Sequence, residues 1–154
     1  MPGKPCIITT AVAAEAQYDC GLVLLFAQTY LNGIYPVAQS FIPGDDLVFQ
    51  LESGFGLLRV IAVERCDEDT IWHLMAYEEL FPDVESAESA LNNPASLHVR
   101  RAHMALTDRA FERTPAARLG NRMVRDDEKV AYGDWIDNDG KVADRSALLM
   151  LGLR

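Results

Sequence analysis

Apolar and polar residues alternate in the middle of the chain as they do along paired β-strands. Every second residue is apolar in the stretch DLVFQL (46–51), namely Leu47, Phe49 and Leu51. The stretch LLRVIAVE (57–64) is largely apolar on both of its alternating faces. Between them lies SGFG, whose glycines suit a chain reversal. The pattern predicts a β-hairpin whose second strand is central in its sheet and buried on both faces.

Two further segments continue the strand-like pattern. The stretch IWHLMAYEEL (71–80) predicts a third strand of a meander, and the alternation in ASLHVRRAHMAL (95–106) predicts another strand. The segment between them (82–93) is typical of a helix or of a long excursion. The stretch TDRAFERTPAARLGN (107–121) reads as short and irregular.

The two ends of the chain complete the predicted fold. The stretch RMVRDDEKVAYGDWI (122–136) predicts a final strand pair, DNDG a sharp turn, and residues 141–154 a short closing helix. At the other end, CIITTAV (6–12) has strand character and residues 13–31 have a helical pattern. We therefore expect one α+β domain over residues 1–154: a small, curved, mostly antiparallel, barrel-like sheet, with residues 1–40 packing on it as an N-terminal extension.

The charge of the chain is strongly acidic and unevenly distributed. The formal net charge is −9, and residues 41–95 alone carry −10. Such a field repels nucleic acids and attracts a basic protein, so we expect a basic protein partner and no nucleic acid. The candidate partner-binding residues are the acids of this segment: Asp45, Asp46, Asp67, Glu68, Asp69, Glu78 and Glu79.

Cysteine usage and hydropathy bear on where the protein resides. Cys6, Cys20 and Cys66 are odd in number and lack metal-like spacing, so we expect no disulfide framework and a reducing, cytoplasmic setting. The run GLVLLFA is too short to span a bilayer, and no convincing signal peptide precedes it. We therefore expect no membrane association.

Candidate catalytic residues do not form a strong signature. Asp45 and Asp46 are adjacent, so on a strand they point to opposite faces, and Asp45 is better placed to cap the turn after Pro43 and Gly44. His98 and His103 are five residues apart, so a metal site requires the fold to bring His73, His98 and an acid together. No nucleophile elbow, phosphate-binding loop or calcium loop is present. The sequence therefore predicts no cofactor, no metal and no catalytic residue.

Some residues are better explained by structure than by chemistry. Arg59 interrupts an apolar strand, so we expect it to reach a carboxylate or to extend to the sheet edge. The residues to which we assign structural roles are Gly44, Gly54, Gly56, Arg59, Trp72 and Trp135.

The segment PGDDLVFQLESGFGLLRVIAVE, followed by WHLMAYEEL, resembles the start of the barrel in a bacterial immunity-protein family, immunity protein 26. The residues that carry the resemblance are Pro43, Gly44, Asp45, Gly54, Gly56, Arg59 and Val60. It covers about residues 41–135, including LGNRMV and YGDW, and leaves the first 40 residues outside. The resemblance implies a non-enzymatic α+β protein that binds and neutralises a cognate toxin.

Two other functions remain open. The first is a small metal-dependent hydrolase that uses residues from this set: Asp45, Asp46, His73, His98 and His103. The second is a non-catalytic accessory domain that forms a homodimer through its apolar N-terminal segment. Bound metal would support the first, and a change of oligomeric state on deletion of residues 1–40 would support the second.

Overall fold

The computed structural model describes residues 7–8, 40–66 and 69–153. Six β-strands lie within these residues: β1 (Ile7–Ile8), β2 (Asp45–Leu51), β3 (Gly54–Cys66), β4 (Asp69–Phe81), β5 (Val99–Thr107) and β6 (Ala116–Asn121). Four short α-helices accompany them: α1 (Val84–Ala90), α2 (Asp108–Glu112), α3 (Asp126–Asp137) and α4 (Ala147–Leu151). A single 3₁₀ turn of the described chain, Pro94–Ser96, lies between α1 and β5.

The strands form one antiparallel sheet in the order β5–β4–β3–β2–β6. The short β1 pairs with Glu64 and Arg65 near the far end of β3, beyond the part of β3 that pairs with β2. The predicted α+β fold with a curved antiparallel sheet is confirmed. Within the described residues the sheet is open, and β5 and β6 are its edges.

The predicted hairpin is present and is formed by β2 and β3. Leu51 pairs with Gly54, which leaves a turn of two residues between the strands. Gly54 has a φ of 141°, a conformation that side chains rarely adopt, and a Cβ there would collide with the carbonyl of Phe81. At Gly56 the ring of Phe49 occupies the space that a side chain would need. Both glycines are therefore required by local geometry.

The sheet is covered on both faces, because β3 is apolar on both sides. One core joins the sheet to α2 and α4 and includes Leu58, Trp72 and Phe111. The opposite core includes Leu57, Met75 and Ala87, with Tyr132 of α3 packed against it. Helices α1 and α3 therefore lie on the same face of the sheet, away from α2 and α4.

Two predictions for the C-terminal part were wrong. Residues 126–137 form the longest helix of the described chain instead of a strand pair. Three acids occupy its first turn, where the helix dipole favours negative charge, and Glu128 accepts a hydrogen bond from the backbone N–H of Arg125. The stretch expected to be irregular contains α2 and the edge strand β6, which pairs with β2.

The remaining elements were predicted correctly where they are described. The third strand, the helix after it, the strand at 99–107 and the closing helix are β4, α1, β5 and α4. The predicted N-terminal strand is represented by Ile7–Ile8, whereas the helix expected over 13–31 lies outside the described residues. The single-domain organisation over 1–154 therefore stays a prediction. None of the helices in the described part is long and apolar enough to cross a membrane.

Candidate functional site

Helix α3 covers a polar region of the sheet, and this region contains two groups of buried and half-buried polar and aromatic side chains. The first group, here called the arginine cluster, consists of Asp46, Arg59, Tyr77, Arg122 and Glu128. Arg59 lies at its centre and is fully buried. The sequence predicted that Arg59 either reaches a carboxylate or extends to the sheet edge, and in the structure it reaches a carboxylate.

Arg59 connects three separate segments of the chain. Its Nη1 donates to the carbonyl of Gly44 at 3.0 Å and to Oδ1 of Asp46 at 2.9 Å. Its Nη2 donates to the carbonyls of Arg122 and Met123 at 3.0 and 3.1 Å. Its Nε lies 3.1 Å from Oε1 of Glu128 but is poorly aligned for a hydrogen bond, so this contact is mainly coulombic.

Arg122 completes the cluster from the loop before α3. Its guanidinium donates to Asp46 at 3.0 Å, to Glu128 at 3.1 Å and to the hydroxyl of Tyr77 at 2.7 Å. Burial raises the pKa of Asp46 above its usual value, while Arg59 and Arg122 pull that pKa down. Two guanidiniums thus face two carboxylates, so the buried charges of the cluster neutralise one another. These ion pairs connect β2, β3, the loop before α3 and α3 itself.

Asp45 has a different set of partners from Asp46. It accepts hydrogen bonds from the backbone N–H of Ile42 at 2.9 Å and from Asn121 at 2.8 Å, and it pairs with Arg118 at 2.8 Å. Asp45 therefore stabilises the turn before β2, as expected. It is fully buried and Asp46 is 2% exposed, so their assignment to an accessible acidic surface was wrong.

The second group, here called the histidine cluster, consists of Glu64, His73, His103, Tyr132 and Trp135. Nδ1 of His73 is 2.9 Å from Nε2 of His103, and Tyr132 donates to Oε1 of Glu64 at 2.8 Å. Nε2 of His73 lies 3.2 Å from the same Glu64 oxygen without hydrogen-bond alignment. Strands β3, β4 and β5 supply the first three residues, and α3 supplies the last two.

The aromatic rings of α3 enclose the two imidazoles. The rings of His73 and His103 stack with centroids 5.2 Å apart, and Tyr132 and Trp135 lie 4.6 and 4.9 Å from His73. Burial lowers the pKa of His73 to about 4. Burial, together with His73 and Arg101, lowers the pKa of His103 to about 4. Both imidazoles are therefore neutral near pH 7, and one donates a hydrogen bond to the other.

The burial that lowers the histidine pKa values also affects the phenol of Tyr132. Burial, and then its hydrogen bond and charge repulsion with Glu64, raise its pKa well above the usual range. Tyr132 therefore remains a hydrogen-bond donor throughout the physiological range. Oε1 of Glu64 lies between the hydroxyl of Tyr132 and the ring of His73, and is hydrogen-bonded to the hydroxyl.

The histidines do not form the metal site that the sequence left open. His73 contacts His103, whereas His98 is exposed and lies 2.7 Å from Glu79. Among the residues that the structure describes, no group of three or more His, Cys, Asp or Glu side chains could hold a metal ion.

A cleft of about 260 Å³ lies beside the arginine cluster. Its apolar wall comes from the turn after α1 and from the start of β5, including Leu97 and Val99, and its base includes Met75 and Tyr77. The first turns of α3 form the other side, with Arg125, Asp127 and Glu128. The cleft therefore lies between the segment before β5 and the first turns of α3.

The other candidate partner-binding acids differ in accessibility. Asp69 and Glu78 are exposed, and Glu79 is half-buried where it accepts hydrogen bonds from the backbone and ring of His98. Asp67 and Glu68 lie outside the described residues. The exposed acids of α3 were missed, because neighbouring arginines conceal them in a count over residues 96–154. They are Asp126, Asp127, Asp134 and Asp137.

The residues expected to be structural have clear roles. Gly44 has a φ of 95°, and its space is closed by the carbonyl of Arg122. Trp72 is buried against Phe111 and donates to Asp108 at 2.7 Å. Trp135 covers the histidine cluster, so its role goes beyond core packing.

The described Cys66 is disulfide-bonded, and its partner lies outside the described residues. The sequence predicted no disulfide framework, and the structure nevertheless has a disulfide at Cys66. The spacing of three cysteines carries no information about which of them meet in the fold.

A scan against protein-family models matches no family, and searches of curated proteins and of solved structures find no significant match.

Proposed function

We propose that this protein is a non-enzymatic binding protein that captures a basic protein through an acidic helical surface, and that its partner is a bacterial toxin. The observation that carries the proposal is the distribution of exposed acids on α1 and α3, which lie on the same face of the sheet. Asp83, Glu85 and Glu88 are exposed at α1, and four aspartates are exposed on α3. We choose a toxin as the partner because residues 41–135 resemble immunity proteins.

The electrostatics of these helices favour rapid association with a basic surface. Asp134 and Asp137 form no ion pair within the described residues, and neither do Glu85 and Glu88. Carboxylates that are not paired with a cation are not neutralised locally, and like charges on one face raise the rate of encounter with an oppositely charged protein at low salt. A neutralising protein benefits from such a rate because it must reach its target before the target acts.

Binding kinetics with matched charge-reversal variants test this proposal. The partner tested is a toxin domain encoded beside the gene for this chain, where one is found there, and binding is measured by surface plasmon resonance at low and high salt. Asp134→Lys combined with Asp137→Lys should lower the association rate constant about tenfold at low salt, with little change in dissociation. Lysines at the end of α3 suit its dipole, so folding is preserved.

The matched control reverses two exposed acids elsewhere, Glu52 in the hairpin turn and Glu112 at the end of α2. This variant has the same net charge as the α3 variant. Equal loss of association rate in both variants would show that only the net charge matters. Absence of binding by the unmodified protein would reject the toxin as partner.

A further inference from the structure

Helix α3 is attached to the sheet through ionisable and aromatic side chains. Its inward face is formed by Glu128, Tyr132 and Trp135, at the i, i+4, i+7 spacing of one helix face. Its aliphatic residues point away, because Val130 is 61% exposed and Ile136 is 45% exposed. The docking of α3 therefore depends on the protonation states beneath it more than on apolar burial.

The histidine pair cannot hold this arrangement when both imidazoles are protonated. A hydrogen bond of 2.9 Å between Nδ1 of His73 and Nε2 of His103 needs one nitrogen with a proton and one without. When both imidazoles are charged, both nitrogens carry protons and two positive charges face each other. His73 is fully buried beneath α3, so the added charge also lacks water.

We propose that the histidine cluster is an acid-sensitive latch, which keeps α3 on the sheet at neutral pH and releases it when the histidines are protonated. The groups that face the imidazoles are Glu64 from β3, Arg101 on β5, and Tyr132 and Trp135 from α3. Glu64 partly offsets a first proton, and Arg101 opposes it. This inference does not depend on the identity of any partner.

The direction of the pH effect follows from proton linkage. The histidines have pKa values of about 4 when α3 is docked, against 6.5 for free imidazole. The released state therefore binds more protons, so docking is fully stable above pH 6.5 and weakens as the pH falls towards 4. For one histidine with these values, the equilibrium constant for release rises about 100-fold between pH 7 and pH 4.

The guanidiniums and Asp46 of the arginine cluster do not drive this release. Its guanidiniums stay charged throughout the range. Burial raises the pKa of Asp46, so acidification favours the folded state at that residue. The acid response of α3 is therefore assigned to the histidine cluster.

Hydrogen–deuterium exchange of the whole chain tests the latch. Exchange in α3 and in β4 is followed from pH 7 to pH 4 and corrected for the intrinsic rate at each pH. The protection of α3 should fall at least about 100-fold, the effect of one histidine alone, while that of β4 is retained. Unchanged protection of α3 at pH 4, or a simultaneous loss in both elements, would overturn the proposal.

Two histidine variants separate the latch from general acid sensitivity. His103→Gln keeps a side-chain N–H for His73 but cannot be protonated, so it should reduce the acid response of α3 at least tenfold. His98→Gln removes an exposed histidine outside the cluster and should behave like the unmodified protein. An acid response in H103Q as large as that of the unmodified protein, or a response that disappears in H98Q, would overturn the assignment.

An NMR titration of the unmodified protein tests the same claim without a variant, in case H103Q does not fold. The ring signals of His73 and His103 should remain those of neutral imidazole down to about pH 5, and should change together with the amide signals of α3. Titration of both rings near 6.5 with α3 still docked would contradict the latch.

Discussion

Arg59 shows how a charged residue can lie at the centre of a strand that is apolar on both faces. The side chain has no exposed surface, yet it donates four hydrogen bonds and faces two carboxylates. A buried charge is tolerated when it is paired and hydrogen-bonded in this way. Arg59 thereby joins the turn before β2, the loop before α3 and α3 itself, and this specifies how they are arranged.

Replacement of Arg59 by methionine should lower the free energy of unfolding by about 3–5 kcal/mol, because Asp46 and Glu128 lose a buried partner. Urea denaturation followed by circular dichroism measures the change. Arg109→Ala is the control, since Arg109 is an exposed arginine paired with Asp144 on the other side of the sheet. It should cost less than about 1 kcal/mol. Similar losses in the two variants would contradict the role of the arginine cluster.

The histidine cluster was not predictable from the sequence, although all its members were visible. His73 and His103 are 30 residues apart and meet because His73 pairs with Ala105 across β4 and β5, which places His103 diagonally opposite on the same face. No local pattern encodes the register between these strands. Arg59 was identifiable because a single charge on an apolar strand requires a partner, whereas the partners themselves depended on the fold.

At the scale of elements, short-range sequence patterns predicted the β2–β3 hairpin correctly, but they did not predict helix α3. The hairpin follows from alternation and glycine positions within a dozen residues, so it could be predicted. Helix α3 has no apolar stripe, because its inward positions are Glu128, Tyr132 and Trp135. Periodicity of apolar residues is the main sequence signal for a helix, and here it is replaced by polar and aromatic contacts.

A glycine in the middle of α3 offers a test of this description. Gly133 has no atom within 4 Å of the position that a Cβ would occupy. Gly133→Ala should therefore raise the free energy of unfolding by about 1 kcal/mol through helix propensity alone. Thermal denaturation measures the change in stability. Gly44→Ala is the comparison variant, for which the opposite effect is expected. Gly44→Ala should destabilise the protein, because its φ of 95° and the carbonyl of Arg122 leave no room for a side chain.

Stabilisation by both alanine variants, or by neither, would contradict the geometry assigned to these two glycines. The comparison is informative because both variants add a single methyl group. They differ in the backbone conformation and in the space around the added atom.

At the scale of the whole molecule, the disulfide of Cys66 predicts the number of free thiols. The chain contains three cysteines, so one internal disulfide leaves one thiol. Titration with a thiol reagent in denaturant, without reductant, should detect one thiol per chain, and reduction should raise this to three. Three thiols before reduction would contradict the disulfide. Because disulfides are rare in reducing compartments, the count also bears on the expected cytoplasmic location.

The global charge was visible in the sequence, but its arrangement was not. Composition gave an acidic chain, and segment counts placed the excess in residues 41–95. In the fold, Asp45 and Asp46 are buried with arginines. Helix α3, by contrast, exposes several acids although residues 96–154 as a whole carry a small net positive charge. Which acids reach solvent depends on long-range pairing, so a count along the chain cannot reveal it.

The central claim is that the acidic face formed by α1 and α3 neutralises a basic toxin. A growth-protection assay tests it most directly, with a toxin from a neighbouring gene expressed alone, with this protein, or with its charge-reversal variants at equal abundance. The account predicts that the unmodified protein and the variant altered at Glu52 and Glu112 protect the cells. Reversal of Glu85, Glu88, Asp134 and Asp137 together should abolish protection. Failure of the unmodified protein to protect, or full protection by the reversed variant, would contradict the account.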